Sequence, residues 1–147
     1  MLSLVDLKRV LAAGPGQRID VINAGNASAA RIARALVALA NSDGGLLLIP
    51  FDATRTHGKP DVTEVHNLAL AATRLSVPAL IVPLPYVVMD GELPAAMVIE
   101  VPDGLPHAYG LDDHYLARRD TKVVSLPALA LANLPANSVI ACLGNRY

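Results

Sequence analysis

Two aspartates have the chemistry for metal-assisted hydrolysis of a phosphodiester. Asp20 lies in the short apolar stretch 17–23, and Asp52 directly follows the apolar run 46–49. Both stretches are predicted strands that are neighbours in one sheet, so the two carboxylates could converge on a divalent cation. Asp20 and Asp52 are therefore the candidate catalytic residues of a metal-dependent nuclease. A nuclease is the alternative prediction. The favoured prediction is a protein with no catalytic residue, metal or cofactor.

A set of basic side chains offers a second chemistry, the binding of phosphate groups. The guanidinium of arginine donates two parallel hydrogen bonds to phosphate, and lysine adds a point charge. If the loop after residues 46–49 lies beside a late strand at 115–119, the basic residues of both gather on one edge. The predicted nucleic-acid-binding residues are Arg55, Lys59, Arg118, Arg119 and Lys122. The chain has no tryptophan, one phenylalanine and four tyrosines, so few rings are available to stack on bases, which favours duplex DNA over RNA.

The same charged residues also suit a structural role. Arg18, Asp20, Asp52 and Arg118 can form a solvated or semi-buried charge network that fixes the order of the strands. The formal net charge is −1, so the chain lacks a broad positive field, and any contact with nucleic acid must be a local patch. The four histidines have no metal-ligand spacing and Cys142 is the single cysteine, which argues against a zinc site and an internal disulfide.

The best-specified structural feature is a turn that joins a helix to a strand. Apolar residues recur at helical spacing up to Leu39, and the apolar run 46–49 is a predicted buried strand. Between them lie Asn41 and a double glycine, Gly44 and Gly45. Glycine enters positive φ easily and lets two backbones approach closely, as a helix that reverses onto its own sheet requires. Asn41, Gly44 and Gly45 are therefore the predicted turn residues.

The remaining elements complete an α+β fold. An amphipathic helix opens the chain, and a third helix begins at Asp61. Asp90 and Gly91 mark a hairpin between two apolar runs. Pro83 and Pro85 cannot donate to a ladder, so the first strand of this hairpin is an edge strand or carries a bulge. The predicted architecture is a single mixed sheet of about five or six strands with helices packed on it.

The length of 147 residues fits a single domain. Its predicted parts are a core at 17–125, the amphipathic helix at 1–14 and an apolar helix or strand extension at 126–147. Hydrophobic residues make up 53% of the chain and charged residues 17%, which favours a homo-oligomer that buries the excess apolar surface. Prolines and asparagines interrupt the uncharged C-terminal stretch, so no membrane contact is predicted. The single cysteine and the absence of a secretory signal predict a cytoplasmic protein.

Three segments, in order, resemble a known family. Residues 38–52, which contain Ala-Asn-Ser-Asp-Gly-Gly and end in Pro-Phe-Asp, are similar to the motif of the Schlafen-type, divergent AlbA-like domain. In that motif a helix ends in Ala-Asn-Ser/Thr-x-Gly-Gly and is followed by a strand and Gly-Val-Asp. Residues 100–109 and 115–121 resemble its second half, where a Pro-His/Tyr loop precedes a strand of the form Tyr-x-x-Arg-x-Gly-Ser.

The resemblance implies nucleic-acid binding, often within bacterial transcription regulators. The vertebrate relatives of the family include metal-dependent ribonucleases with clustered carboxylates. Carried over by position, the motif places Asn41, Gly44 and Gly45 at the turn, Asp52 after the strand and Arg118 in the late strand.

The chain also departs from the family pattern, which identifies it as a degenerate member. Arg18 and Asp20 stand where the family has Glu-Phe-Lys, and Pro50 and Asp120 replace glycines. The predicted function is therefore a non-catalytic domain that binds DNA through phosphates or serves as a regulatory assembly domain. A further alternative is a structural homo-oligomer whose interface is formed by the first helix and the C-terminal segment.

Overall fold

The computed structural model describes residues 1–51, 61–105 and 107–127 of the chain. Within these ranges the chain folds into α-helices and β-strands in an α+β arrangement, as the sequence predicts. In chain order the elements are α1 (Leu4–Ala13), β1 (Ile19–Val21), α2 (Ala29–Ala40), β2 (Gly45–Pro50), α3 (Val62–Ala72), β3 (Tyr86–Asp90), β4 (Leu93–Val101), β5 (Gly110–Leu111), β6 (His114–Arg119) and β7 (Lys122–Pro127). The described residues contain no helix of the length and apolar character needed to cross a membrane.

The strands form two sheets. The first sheet has the order β1-β2-β4-β3, in which β1 and β2 are parallel and the other pairs are antiparallel. The second sheet is antiparallel, with the order β5-β6-β7. The prediction of a single mixed sheet of five or six strands is therefore wrong, since the described residues place seven strands in two sheets.

The two sheets stay separate because side chains occupy the outer edge of β1. The Ile19 carbonyl accepts a hydrogen bond from the Arg118 guanidinium, at 2.8 Å. The N–H of Val21 donates to the carboxylate of Asp20, at 2.9 Å. These backbone groups would otherwise pair with a further strand. The second sheet instead packs against α2 through β6.

Both faces of the first sheet are covered by helices. α2 lies at the centre of the fold, since it contacts α3 and both sheets. The side chains on its side of the first sheet are Leu47, Ile49, Met97 and Ile99. The opposite face is covered by α1, whose fully buried Leu7 packs with Leu48, Val88, Ala96 and Val98. The apolar face of α1 thus packs on the first sheet of the same chain.

The helices begin at residues that cap them. The side-chain oxygens of Ser3, Ser28 and Asp61 each accept a hydrogen bond from the backbone N–H three residues later. These bonds satisfy N–H groups that have no partner inside the helix. The third helix therefore begins where the sequence predicts it.

The hairpin of β3 and β4 shows both features expected from the prolines before it. β3 is an edge strand of the first sheet. The pairing register shifts between Val88 and Met89, which marks a bulge. Of the predicted C-terminal extension, only the end of β7 lies within the described residues.

Candidate functional site

The double glycine lies at the predicted junction. α2 ends at Ala40 and β2 begins at Gly45. The φ angles of Gly44 and Gly45 are +68° and +134°, a region that residues with a Cβ rarely adopt. A Cβ at Gly45 would overlap the carbonyl group of Arg18, and one at Gly44 would lie 2.7 Å from the carbonyl oxygen of Val101. The turn is therefore the point where three backbone segments meet.

Asn41 and Ser42 join this turn to the second sheet. The Asn41 amide nitrogen donates to the carbonyls of Tyr109 and Leu116, both at 2.8 Å. Its amide oxygen accepts from the N–H of Tyr109, also at 2.8 Å. The Ser42 hydroxyl accepts from the backbone N–H of Arg118, at 2.8 Å. Asn41 is thus more than a turn residue, since it holds the backbone of the second sheet against the end of α2.

Arg118 is buried at the contact between the two sheets. Its Nη1 lies 2.8 Å from the carboxylate of Asp20, and its side chain is only 1% exposed. Its Nε and Nη2 donate to the carbonyls of Gly16 and Ile19, at 2.5 and 2.8 Å. Gln17 adds a bond from its amide to the carbonyl of Arg118, at 2.8 Å. The sequence predicts that Arg118 binds nucleic acid at the surface. In the structure this side chain is buried and instead connects the second sheet to β1.

These side chains join the end of α2 and the segment around β1 to the second sheet, and we call them together the polar junction. Its members are Gln17, Asp20, Asn41, Ser42 and Arg118. Among the described residues, no buried side-chain nitrogen or oxygen lacks a hydrogen-bond partner. The charge network predicted from the sequence is thus confirmed for the Asp20–Arg118 pair, whereas Arg18 is exposed and Asp52 lies outside the described residues.

Asp20 is poorly placed to ligate a metal in a nuclease. Its carboxylate is already bound to the Arg118 guanidinium and to the N–H of Val21. An adjacent guanidinium competes directly with a cation for the carboxylate oxygens. Within the ranges that the structure describes, no three histidine, cysteine or acidic side chains are grouped as metal ligands would be. Asp52, the other predicted ligand, lies outside those ranges.

Two adjoining cavities share two exposed arginines of α2, Arg31 and Arg34. We call these cavities together the basic groove. The first, of about 320 Å³, lies between α2, the end of β1 and β7. The second, of about 440 Å³, lies between α2 and the second sheet. The other lining residues are Asp20, Val21, Ile22, Asn23, Asn26, Ala35 and Val123 in the first cavity, and Ala30, Leu111, Asp112, His114, Leu116 and Ser125 in the second.

The charges of the basic groove favour an anion. Neither Arg31 nor Arg34 forms an ion pair within the part of the chain that the structure describes. Of the two carboxylates that line the groove, Asp20 is neutralised by Arg118, which leaves Asp112. The first turn of α2 also has no acidic residue, whereas α1 and α3 each have one. The partial positive charge of the helix N-terminus therefore adds to that of the arginines.

The predicted phosphate-binding residues are not brought together as a set. Arg119 and Lys122 are exposed and face each other across the β6–β7 hairpin. Lys122 directly precedes Val123, which lines the basic groove. Arg55 and Lys59 lie outside the described residues.

The sequence interpretation missed Arg31 and Arg34, although a signal was present. The two arginines are three residues apart on a helix, so they share one face. Apolar residues occupy the rest of the helix. A basic pair at the start of an otherwise apolar helix, with no acid in its first turn, could have identified this surface.

Comparisons with protein families, with curated proteins and with solved structures identify no significant match for this chain. The resemblance to the Schlafen-type domain thus stands only on the motif segments at 38–52, 100–109 and 115–121.

Proposed function

We propose that this protein is a non-catalytic domain that binds nucleic acid, and duplex DNA in particular, through phosphate groups in the basic groove. One observation carries the proposal, namely that the exposed Arg31 and Arg34 line both cavities of the groove. The resemblance to the Schlafen-type AlbA-like domain supports it, because that family is associated with nucleic-acid binding. We further propose that the domain acts in the cytoplasm as part of a regulatory assembly.

The two arginines suit phosphate for geometric and electrostatic reasons. A guanidinium is planar and donates two parallel hydrogen bonds to phosphate oxygens. Residues three apart on a helix lie about 5–6 Å from each other at Cβ, so Arg31 and Arg34 can hold one phosphate together or two neighbouring phosphates. Arg119 and Lys122 are exposed on the hairpin that borders the groove, but they lie on the opposite face of its strands from Val123 and Ser125, which line the groove.

The aromatic residues favour a duplex bound through its backbone. Phe51 and Tyr109 are buried, and Tyr86 and Tyr115 are half-buried. Proteins that bind single strands usually have exposed rings on which unpaired bases stack. The described residues present no fully exposed phenylalanine or tyrosine ring of this kind. Phosphate contacts alone give affinity with little sequence preference.

The decisive experiment measures the binding of a short fluorescent DNA duplex by anisotropy over a range of salt concentrations. The test variant is Arg31→Ala/Arg34→Ala. The control variant, Arg9→Ala/Arg74→Ala, removes the same charge from two other exposed arginines. We expect the test variant to weaken binding and to reduce the slope of log K against log salt by up to about 2, because each lost phosphate contact removes about 0.9.

The control variant separates a site from general charge attraction. Its salt slope should remain close to that of the original protein. Equal losses in the two variants, or no binding by the original protein at low salt, would overturn the proposal. Circular dichroism of both variants verifies that they are folded.

A further inference from the structure

A strip of apolar side chains is exposed in the segment between α3 and β3. Val77, Ile81 and Leu84 are 75%, 83% and 74% exposed, and Leu75 is 47% exposed. The chain has no charged residue from 75 to 89. We call these four residues the apolar strip. Exposed apolar side chains grouped in this way mark an interaction surface.

The strip is held in place by hydrogen bonds to the rest of the fold. The N–H of Leu80 donates to the carbonyl of Thr73, at 2.9 Å. Val77 and Gly110 exchange two backbone hydrogen bonds, each of 2.9 Å. The backbone of the segment is therefore anchored at Val77 and at Leu80, directly before Ile81, and such anchoring lowers the entropy lost when a partner binds.

A cavity of about 180 Å³ opens beside the strip. Ile81 and Leu84 belong both to the strip and to the lining of this cavity. Ala69, Leu70 and Thr73 of α3 form another part of its wall. Protruding apolar side chains and an apolar cavity thus lie on one patch of surface.

We propose that the apolar strip is the contact face between two copies of this chain, related by a two-fold axis. A two-fold interface uses the same patch on both copies, so the patch must contain both protrusions and the cavity that receives them. This patch does, since Ile81 and Leu84 of each copy can close the cavity of the other. The strip carries no charge that would select an oppositely charged partner.

The apolar area agrees with a small homodimer. Dividing the transfer free energy of a Val, Leu or Ile side chain by the free energy gained per unit of buried apolar area gives roughly 60–120 Å² of apolar area for each side chain. With their observed exposures, the four strip residues then supply roughly 170–330 Å² per copy. The smallest stable interfaces bury about 600 Å² per copy, of which about 65%, or roughly 390 Å², is apolar in homodimers. The strip therefore supplies about half or more of the apolar area that such an interface needs, and the wall of the adjoining cavity adds to it.

The two copies should pack face to face, without extending a sheet. β3 is an edge strand, but Pro83 and Pro85 precede it and the register shift at Val88 interrupts it. Prolines and bulges at an edge prevent the pairing of a further strand.

The first test is sedimentation equilibrium of the full chain over a range of concentrations. We expect a reversible equilibrium between monomer and dimer. Ile81→Asp/Leu84→Asp should weaken the dimer at least about tenfold, because it places unpaired charges inside the interface. The control is Val5→Asp/Leu93→Asp, which makes the same change at two other exposed apolar residues and should leave the dissociation constant unchanged. A monomeric original protein, or equal weakening in both variants, would overturn the proposal.

The second test asks whether the interface is two-fold. Cys142, the single cysteine of the chain, is first replaced by serine, and Ile81 or Leu84 is then replaced by cysteine. In the proposed dimer Ile81 and Leu84 of each copy enter one small patch on the other, which places positions 81 and 84 next to the two-fold axis, so mild oxidation should join the copies covalently through position 81 or 84. Failure at both positions, with dimers still present, would contradict the two-fold arrangement. Neither test involves nucleic acid, so the proposed function can fail without affecting this result.

Discussion

The guanidinium of Arg118 and the carboxylate of Asp20 form a 2.8 Å ion pair that connects the second sheet to the outer edge of β1. Their side chains are 1% and 19% exposed, so the pair is largely shielded from water. Arg118 also donates to the carbonyls of Gly16 and Ile19. One side chain therefore both closes the edge of the first sheet and fixes the position of the second.

Replacing Arg118 should destabilise the protein strongly. Arg118→Ala leaves the carboxylate of Asp20 and two carbonyls without their partner, and loss of one member of a buried ion pair typically costs about 3–5 kcal/mol. The matched control is Arg119→Ala, at the exposed neighbouring position, which should lower the free energy of unfolding by at most about 1 kcal/mol. Urea unfolding followed by circular dichroism measures both values. Equal losses would show that Arg118 has no special structural role.

The local parts of this fold could be predicted from the sequence, but the division into two sheets could not. The helix-turn-strand unit and the hairpin depend on neighbouring residues, such as Gly44, Gly45 and Gly91, which adopt the positive φ angles that their turns require. The closure of β1 depends on a bond between Arg118 and Ile19, which are 99 residues apart in the chain. No periodicity in the sequence encodes such a pairing.

The candidate site, like the division into two sheets, depends on contacts between distant parts of the chain. The sequence indicates correctly that basic residues are available, but the choice among them depends on burial. Arg118 is buried by the packing of β6 on α2, whereas Arg31 and Arg34 remain at the surface because they lie at the start of α2 beside the edge of β7. That arrangement arises only when the second sheet docks.

The second prediction concerns the close approach of backbones at the turn. Gly45→Ala should lower the free energy of unfolding by at least about 3 kcal/mol, because its Cβ would overlap the Arg18 carbonyl and its φ is positive. Gly16→Ala is the matched control, since a Cβ at Gly16 meets no atom within 4 Å and should change stability by roughly 0.5 kcal/mol or less. Thermal and urea unfolding test both. A mild effect at Gly45 would mean that the three backbones do not meet as described.

The third prediction concerns the amide of Asn41. Asn41→Asp keeps the shape of the side chain but turns two donated hydrogen bonds, to the carbonyls of Tyr109 and Leu116, into contacts between oxygens. We expect a loss of at least about 3 kcal/mol, because a buried charge is left without a partner. Asn67→Asp, on the exposed side of α3, makes the same chemical change at the surface and should be close to neutral. If the two variants unfold at the same urea concentration, Asn41 does not hold the second sheet.

The last prediction is an alkaline loss of stability that involves Tyr86. Burial is the main cause that raises the pKa of Tyr86 above 10.0, and the hydrogen bond to Glu100 and its charge raise it further, against the opposing effect of the Leu2 N–H. A raised pKa means that the folded state favours the neutral phenol, so this stabilisation is complete below pH 10 and is lost as the pH rises through the pKa of the folded state.

Removing this side chain should weaken the pH dependence. Tyr86→Phe should make the free energy of unfolding fall less steeply above pH 10 than in the original protein. Glu100→Gln keeps an acceptor for the phenol but removes the charge, so ultraviolet absorbance should show the ionisation of Tyr86 at lower pH. The control Glu92→Gln, at the exposed turn of the hairpin, should leave that ionisation unchanged. An alkaline fall as steep in Tyr86→Phe as in the original protein would assign the effect to another group.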